Sequence, residues 1–352
     1  MDSTSIKQSP AVKTNSLRAW ILAARPKTLT GAVAPVLVGM AFGFILLFAD
    51  GGWTKGIMPA VICILFAFVM QVDANFINDY FDWKKGADSE ERLGPERACS
   101  QGWITPRAMK KGIVITTVLS ILIGLPLVYY GGWWMLVVGI ICIIDAFLYT
   151  TKLSYWGLGD IMVVLFFGIV PVFFTFHVIA DSNFLSILSS IIRKNGALDI
   201  ASGISLYYDK TVLLAGLCVG LVVNNLLIVN NYRDRELDGK NRKKTLVVRL
   251  GARAAEWIYL LNGIVAIAGV MITCKRLMEL GWPSISPTFP YHLALPLLFL
   301  PFLFSTHRKM VRINHGRELN NVLGETARNI LIYSLLFVAT IIVTAFAFWY
   351  SR

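Results

Sequence analysis

The chain has 352 residues, 56% hydrophobic and 15% charged, with a mean hydropathy of +0.64. A soluble domain carries roughly 25% charged residues, so this composition excludes a soluble globular protein and indicates a polytopic membrane protein. The net charge of +12 lies in short loops between apolar runs, which argues against nucleic-acid binding and makes the lipid bilayer the expected surroundings.

Residues 1–16 are polar, with Ser, Thr, Lys and Pro. They lack the apolar core of a cleavable signal peptide and read as a cytoplasmic tail. Nine apolar runs follow, each near the roughly 20 residues that cross a bilayer: 21–48, 57–82, 112–130, 132–150, 159–180, 211–234, 256–274, 290–306 and 329–349. The expected fold is an all-α integral membrane bundle of nine helices, one membrane-embedded domain over residues 1–352. The 181–210 stretch carries Phe184, Leu185, Leu188, Ile191 and Ile192 at helical spacing and reads as an external amphipathic connector. Cys63, Cys142, Cys218 and Cys274 fall within spans and Cys99 in a loop; without metal-ligand spacing they are expected to be free thiols.

Charge sets the orientation. Of the 33 Lys and Arg, 26 lie in the amino tail and its junction with the first run, and in the connections after the second, fourth, sixth and eighth runs. The positive-inside rule assigns that set to the cytoplasm.

Two polar clusters end apolar runs on this basic side. The first is Asn78-Asp79-Tyr80-Phe81-Asp82, continuing to Gly86 and Asp88; the second is Asn230-Asn231-Tyr232-Arg233-Asp234, continuing to Asp238. Carboxylates beside hydrocarbon are costly, which makes them functional candidates. At 100° per residue, Gln71, Asn75, Asn78 and Asp82 form one stripe, and Asn224, Asn231, Asp234 and Asp238 share a narrow sector. Asp88 can join Asp82 only if the helix stops first, and Gly86 is a suitable stop. Gly239 is the expected stop after Asp238. Like charges at i, i+4 repel, so a cation between carboxylates is expected. Mg²⁺ suits few carboxylates plus substrate phosphate oxygens.

Asp145, Tyr149 and Lys152 follow i, i+4, i+7 in the fourth run, either as a packing contact or with Lys152 reaching a phosphate. Asp160, after Gly157-Leu158-Gly159, is a site residue or a helix N-cap. Arg25, Lys27, Arg92, Arg97 and Lys243 lie on the same side as topology determinants or as ligands for leftover diphosphate charge. Phe166, Phe167, Phe173 and Phe174 either line an apolar tunnel or face lipid, the latter expected for most. The four histidines are not clustered, and no GxSxG, HExxH or P-loop motif is present.

These motifs resemble those of the UbiA-type intramembrane prenyltransferases. The pattern Asn-x3-Asp-x3-Asp is met by Asn230, Asp234 and Asp238. The first motif places Gly86 where the second acid is usual and supplies Asp88 instead. That departure is similar to a branch acting on 1,4-dihydroxy-2-naphthoate in menaquinone synthesis, as are Ala24-Arg25-Pro26-Lys27-Thr28-Leu29, the stretches Arg92–Ala98 and Asn230–Leu246, and Gly157–Asp160. Arg242 stands where that branch usually has Gly. The resemblance implies a UbiA-like bundle in which Asp82, Asp88, Asp234 and Asp238 bind Mg²⁺ on a polyprenyl diphosphate. Asn78, Asn230 and the cations above would contact diphosphate or acceptor, as would Tyr149, Lys152 and Asp160. The implied reaction is prenyl transfer to 1,4-dihydroxy-2-naphthoate with loss of carbon dioxide and diphosphate. The alternatives are another acceptor such as 4-hydroxybenzoate or, more distantly, a cation-coupled transporter, whose site should lie nearer the midplane. The expected location is the cell's inner (cytoplasmic) membrane, with the amino terminus and active site facing the cytoplasm.

Nine crossings with a cytoplasmic amino terminus put the carboxyl terminus outside. A topology reporter fused after Arg352 should read as external, and a cytoplasmic signal would overturn the span count or the orientation.

Overall fold

The computed structural model describes residues 12–49, 52–86, 93–181, 210–281 and 291–349. The expected connector at 181–210 lies almost wholly outside the described residues. All regular structure among the described residues is helical. Eight helices are long and apolar enough to cross a membrane: Leu17–Phe48, Trp53–Lys84, Pro106–Gly131, Trp134–Trp156, Gly159–Ala180, Lys210–Lys240, Ala252–Met278 and Leu319–Phe346. A further helical stretch joins a 3₁₀ segment, Tyr291–Phe299, to the α-helix Leu300–Ile313. At the usual rises it extends roughly 39 Å, enough for a hydrocarbon core of about 30 Å. In chain order these are helices 1 to 9, with the 3₁₀-containing stretch as helix 8. The chain is a multi-pass membrane protein.

Helix 1 is not the single run expected. It comprises Leu17–Ala24, a 3₁₀ turn at Pro26–Thr28, and Leu29–Ala49. The break has two local causes. Arg25 adopts left-handed backbone at φ 50°, and Pro26 has no N–H to continue the ladder. The Asn75 side-chain amide, from helix 2, donates to the freed Ala24 carbonyl at 2.9 Å and to Thr28 Oγ1 at 3.1 Å. The polar stripe of helix 2 therefore faces the interior as expected, and part of it supports this break.

Two more irregularities fall near the same end. Tyr149–Leu153 and Leu165–Ile169 are π-turns inside helices 4 and 5. Such turns free carbonyls and shift the side-chain register. Lys85 Nζ donates to the carbonyls of Thr150 and Thr151 at 3.0 and 3.1 Å and lies 4.1 Å from the Tyr155 ring centroid. Partial burial lowers its pKa, and Lys243 adds to that effect while Asp82 opposes it.

Helices 5 and 6 meet backbone to backbone. A Cβ built on Gly168 would come within 2.4 Å of Gly220 Cα and 2.5 Å of the Gly216 carbonyl. Apolar lipid gives no hydrophobic drive between helices, so close approach through small residues supplies the association. Helix 6 packs against helices 5, 7 and 9 and carries much of the largest core, including Val219, Val223, Ile228 and Tyr232.

Gly168→Ala should force these helices apart. Overpacking of this kind costs about 1–3 kcal/mol, so the purified variant should unfold at lower temperature in detergent, whereas Gly139→Ala, with open space around its Cα, should not.

Candidate functional site

Helix 2 stops where the sequence indicated. It ends at Lys84, and Gly86 turns the chain at φ 65°. Beyond residues 87–92, which include Asp88 and Arg92 and lie outside the described residues, the chain returns over the end of helix 2. Asp79, fully buried, directs that return: its two oxygens accept from the Ala98 and Cys99 N–H groups at 2.9 and 2.8 Å. This holds Arg97 above the motif. One Arg97 nitrogen donates to the Asn78 carbonyl at 2.7 Å and the other pairs with Asp82 at 2.5 Å. Asp79 was not among the expected site residues; its role is to position a loop.

Helix 6 runs through Gly239 to Lys240 and reverses at Arg242, φ 55°, so the stop expected at Gly239 comes later. The Lys243 N–H bonds the Asp238 carbonyl at 2.9 Å and the Arg242 N–H bonds the Gly239 carbonyl at 3.1 Å, a Schellman closure. It brings Lys243 Nζ to 3.5 Å from Asp238 Oδ1, while Asp238 Oδ2 is buried without a hydrogen-bond partner. Asp234 takes a forked pair of bonds from Arg233 at 2.9 and 2.7 Å. Arg233 also reaches Asn320 Oδ1 at 2.8 Å, and the Asn320 amide donates to the Leu93 carbonyl at 2.9 Å. The two motifs are thereby tied together through the start of helix 9.

Three of the four expected metal carboxylates thus carry a cationic partner from the chain, and the fourth, Asp88, is not described. Among the described residues, no three His, Cys, Asp or Glu side chains are grouped closely enough to hold a metal. The carboxylates of the two motifs nonetheless share one region: Lys85 feels both Asp82 and Lys243, and Tyr149 lies within electrostatic range of Asp82, Asp145, Asp160 and Asp238.

Asp160 does not cap its helix; Leu158 holds that position. Asp160 Oδ1 accepts from the Asn224 amide at 3.1 Å, bridging helices 5 and 6. Asp160, Asn231, Lys243 and Tyr149 line a small pocket of about 20 Å³. The stretch before it needs Gly157: at φ 79°, a Cβ there would meet the Lys244 carbonyl at 2.2 Å. Across this contact, Lys244 N–H bonds the Tyr155 carbonyl at 3.1 Å and Arg249 bonds the Trp156 carbonyl at 2.7 Å.

A cavity of about 430 Å³ opens behind the motifs. Asn78 and Asn230, the first residues of the two motifs, both line it, together with Arg25, Tyr149 and Asp145. Its wall follows helix 2 back to Cys63, roughly 22 Å along the axis, and is mostly apolar. Phe166, Phe167 and Phe174 line it, correcting the expectation that most of these phenylalanines face lipid, while Phe173 packs against the core beside it. The π-turn disrupts the expected Asp145, Tyr149, Lys152 stripe: the first two line the cavity, whereas Lys152 is exposed and lines neither pocket. Lys27 is also exposed and outside the cavity lining. The sequence reading further missed Asp73, fully buried in helix 2, which accepts from Thr116 and Thr117 of helix 3 at 2.5 and 2.8 Å. The paired hydroxyls in an apolar run were the available signal.

The profile of the UbiA prenyltransferase family matches residues 32–335. The 1,4-dihydroxy-2-naphthoate octaprenyltransferase of Escherichia coli (strain K12) is 31% identical, covering 94% of this chain and 97% of that one. Proteins of the same name from Haemophilus influenzae and Mycobacterium tuberculosis are 29% and 30% identical, each over 91% of this chain and 94% and 95% of their own. A solved structure described as concerning digeranylgeranylglyceryl phosphate synthase in membranes superposes with a TM-score of 0.55 at 16% identity, covering 93% of this chain and 99% of that one. That likeness concerns the fold alone.

Asp79→Ala would leave two buried N–H groups without acceptors, at about 1–3 kcal/mol each. Its thermal unfolding midpoint should fall clearly, and proteolysis between residues 93 and 103 should accelerate; unchanged protection of that loop would refute the positioning role.

Proposed function

The chain belongs to the UbiA prenyltransferase family, and we propose that it transfers a polyprenyl group from polyprenyl diphosphate to 1,4-dihydroxy-2-naphthoate, releasing carbon dioxide and diphosphate. The observation that carries this reading is the cavity in which Asn78 and Asn230 meet at the polar end of a long apolar wall. Such a shape suits a substrate with an anionic head and a hydrocarbon tail. The acceptor follows from relatives bearing that enzyme's name over nearly their whole length.

Mg²⁺ fits the donor set. Asp82, Asp234 and Asp238 are hard oxygen donors at the ends of helices 2 and 6, and the unpartnered Asp238 Oδ2 is suited to a cation. With Asp88, these residues would hold Mg²⁺, which when bound neutralises the diphosphate and stabilises charge on the leaving group. Arg97, Arg233 and Lys243 lie against the same carboxylates and are placed to bind the remaining diphosphate charge. Arg25 lines the cavity as its cation and would meet the acceptor carboxylate. The apolar wall keeps water from the allylic cation as the carbon–oxygen bond breaks. Attack by the ring carbon bearing the carboxylate forms the new bond to the prenyl carbon, and loss of carbon dioxide breaks the ring–carboxylate bond, whose electron pair returns to the ring. We place this site on the cytoplasmic face of the cell's inner membrane, within one domain, because the basic connections flank it.

Asp234→Asn and Asp238→Asn should each lower turnover at least about 100-fold while folded protein persists in the membrane. Carboxyl-labelled naphthoate should release labelled carbon dioxide in step with prenylation. Prenylation of 4-hydroxybenzoate with its carboxylate retained, and none of the naphthoate, would refute the acceptor assignment and leave the family intact.

A further inference from the structure

Two hydrogen-bond acceptors line the deeper part of the cavity without donors. Gln71 is 8% exposed and lines the cavity, and its Oε1 has no hydrogen-bond partner. The amide orientation follows from its neighbours. The Ala24 carbonyl can only accept, so the Asn75 nitrogen must point at it. Asn75 Oδ1 is then an acceptor, which fixes the Gln71 nitrogen toward it at 3.4 Å and turns Gln71 Oε1 away. The second acceptor is Asp145, a partly exposed residue that lines the same cavity and, among the described residues, has no ion pair or hydrogen bond to Tyr149 or Lys152.

The placement is specific. Gln71 precedes Asn78 by seven residues, which keeps it on the same helix face about 10 Å deeper. Asp145 precedes Tyr149 by one turn on helix 4, which packs beside helix 2. The amide between them on this stripe, Asn75, has both its polar atoms engaged. Leaving the buried Gln71 oxygen without a donor costs about 1–3 kcal/mol, and the partly exposed Asp145 lines the same cavity, so a ligand carrying two donors would serve both.

We propose that Gln71 Oε1 and Asp145 form the ring subsite for a dihydroxy aromatic acceptor, each accepting a hydrogen bond from one ring hydroxyl. This rests on the acceptor class given above and adds the residues that select it. Hydrogen bonds from the hydroxyls also raise electron density in the ring, which favours its attack on the allylic carbon. A monohydroxy acid leaves one acceptor unpaired, and sites built to bond a hydroxyl reject analogues lacking it.

The test is a matrix of acceptors and variants. Wild-type protein, Asp145→Leu and Gln71→Met are assayed with 1,4-dihydroxy-2-naphthoate and with the two acids that lack one hydroxyl, 1-hydroxy-2-naphthoate and 4-hydroxy-2-naphthoate. Wild-type kcat/KM should fall at least about 30-fold on loss of either hydroxyl. Asp145→Leu should lose most of its rate on the dihydroxy acid yet match the wild type on one of the monohydroxy acids, bringing that ratio to within about threefold. Gln71→Met should do the same for the other acid. The KM for polyprenyl diphosphate should stay unchanged in both. Asp145→Leu exchanges a carboxylate for an apolar side chain inside a membrane span, so it should fold and suffices alone if Gln71→Met does not. A selective wild type whose Asp145→Leu variant retains both ratios overturns the subsite but not the reaction. A wild type that takes none of the naphthoates overturns the acceptor reading, and this subsite with it.

Discussion

Every carboxylate at the edge of hydrocarbon must be answered, and this requirement organises the polar end of the bundle. Backbone N–H groups answer Asp79, hydroxyls answer Asp73, an amide answers Asp160, and guanidinium or ammonium groups answer Asp82, Asp234 and Asp238. Apart from Arg233, which precedes Asp234 on helix 6, each partner comes from a different helix or from a loop folded back over a helix end. The burial cost of the acids thus becomes a set of constraints on where those loops lie. The loop after helix 2 sits where it does because Asp79 needs two donors, and Arg97 is delivered to Asp82 as a result.

Three of the groups left unanswered lie at the motifs or in the cavity behind them. One oxygen of Asp238, the carbonyl of Gln71 and the carboxylate of Asp145 lack protein donors among the described residues. The first lies at the motif end and the other two line the cavity behind it. Other buried polar atoms also lack hydrogen-bond partners, among them Asn224 Oδ1, Thr273 Oγ1 and Ser334 Oγ, but these residues lie outside the cavity lining. Along helix 2, Gln71 lies about 10 Å from Asn78, so the motif end and the deeper cavity present different groups.

Departures from regular helix serve the same arrangement. The left-handed turn at Arg25 puts a guanidinium into the cavity lining, and the π-turn after Leu148 places Tyr149 between the two pockets. At Arg242 a non-glycine residue takes a left-handed conformation, at about 1–2 kcal/mol relative to the right-handed form. The reversal it completes lays Lys243 against Asp238. The close approach at Gly168 and Gly220 lets helices 5 and 6 present Asp160 and Asn224 to each other.

Composition alone determined that the chain crosses a membrane, because so few charges over so many apolar residues admit no soluble fold. The 3.6-residue period was enough to put Gln71, Asn75 and Asn78 on an interior face, and Gly86 marked the end of helix 2. The spacing of Asn230, Asp234 and Asp238 carried the family resemblance. Tertiary structure decided the rest. Asp79 and Asp82 look alike in sequence, yet one holds a loop and the other meets Arg97, since their partners lie beyond the turn. The π-turn that separates Lys152 from Asp145 and Tyr149, and the orphaned oxygen of Gln71, depend on contacts with helices distant in the chain. Periodicity reports which face of a helix a residue occupies; only packing in three dimensions decides which donor or acceptor it finds there.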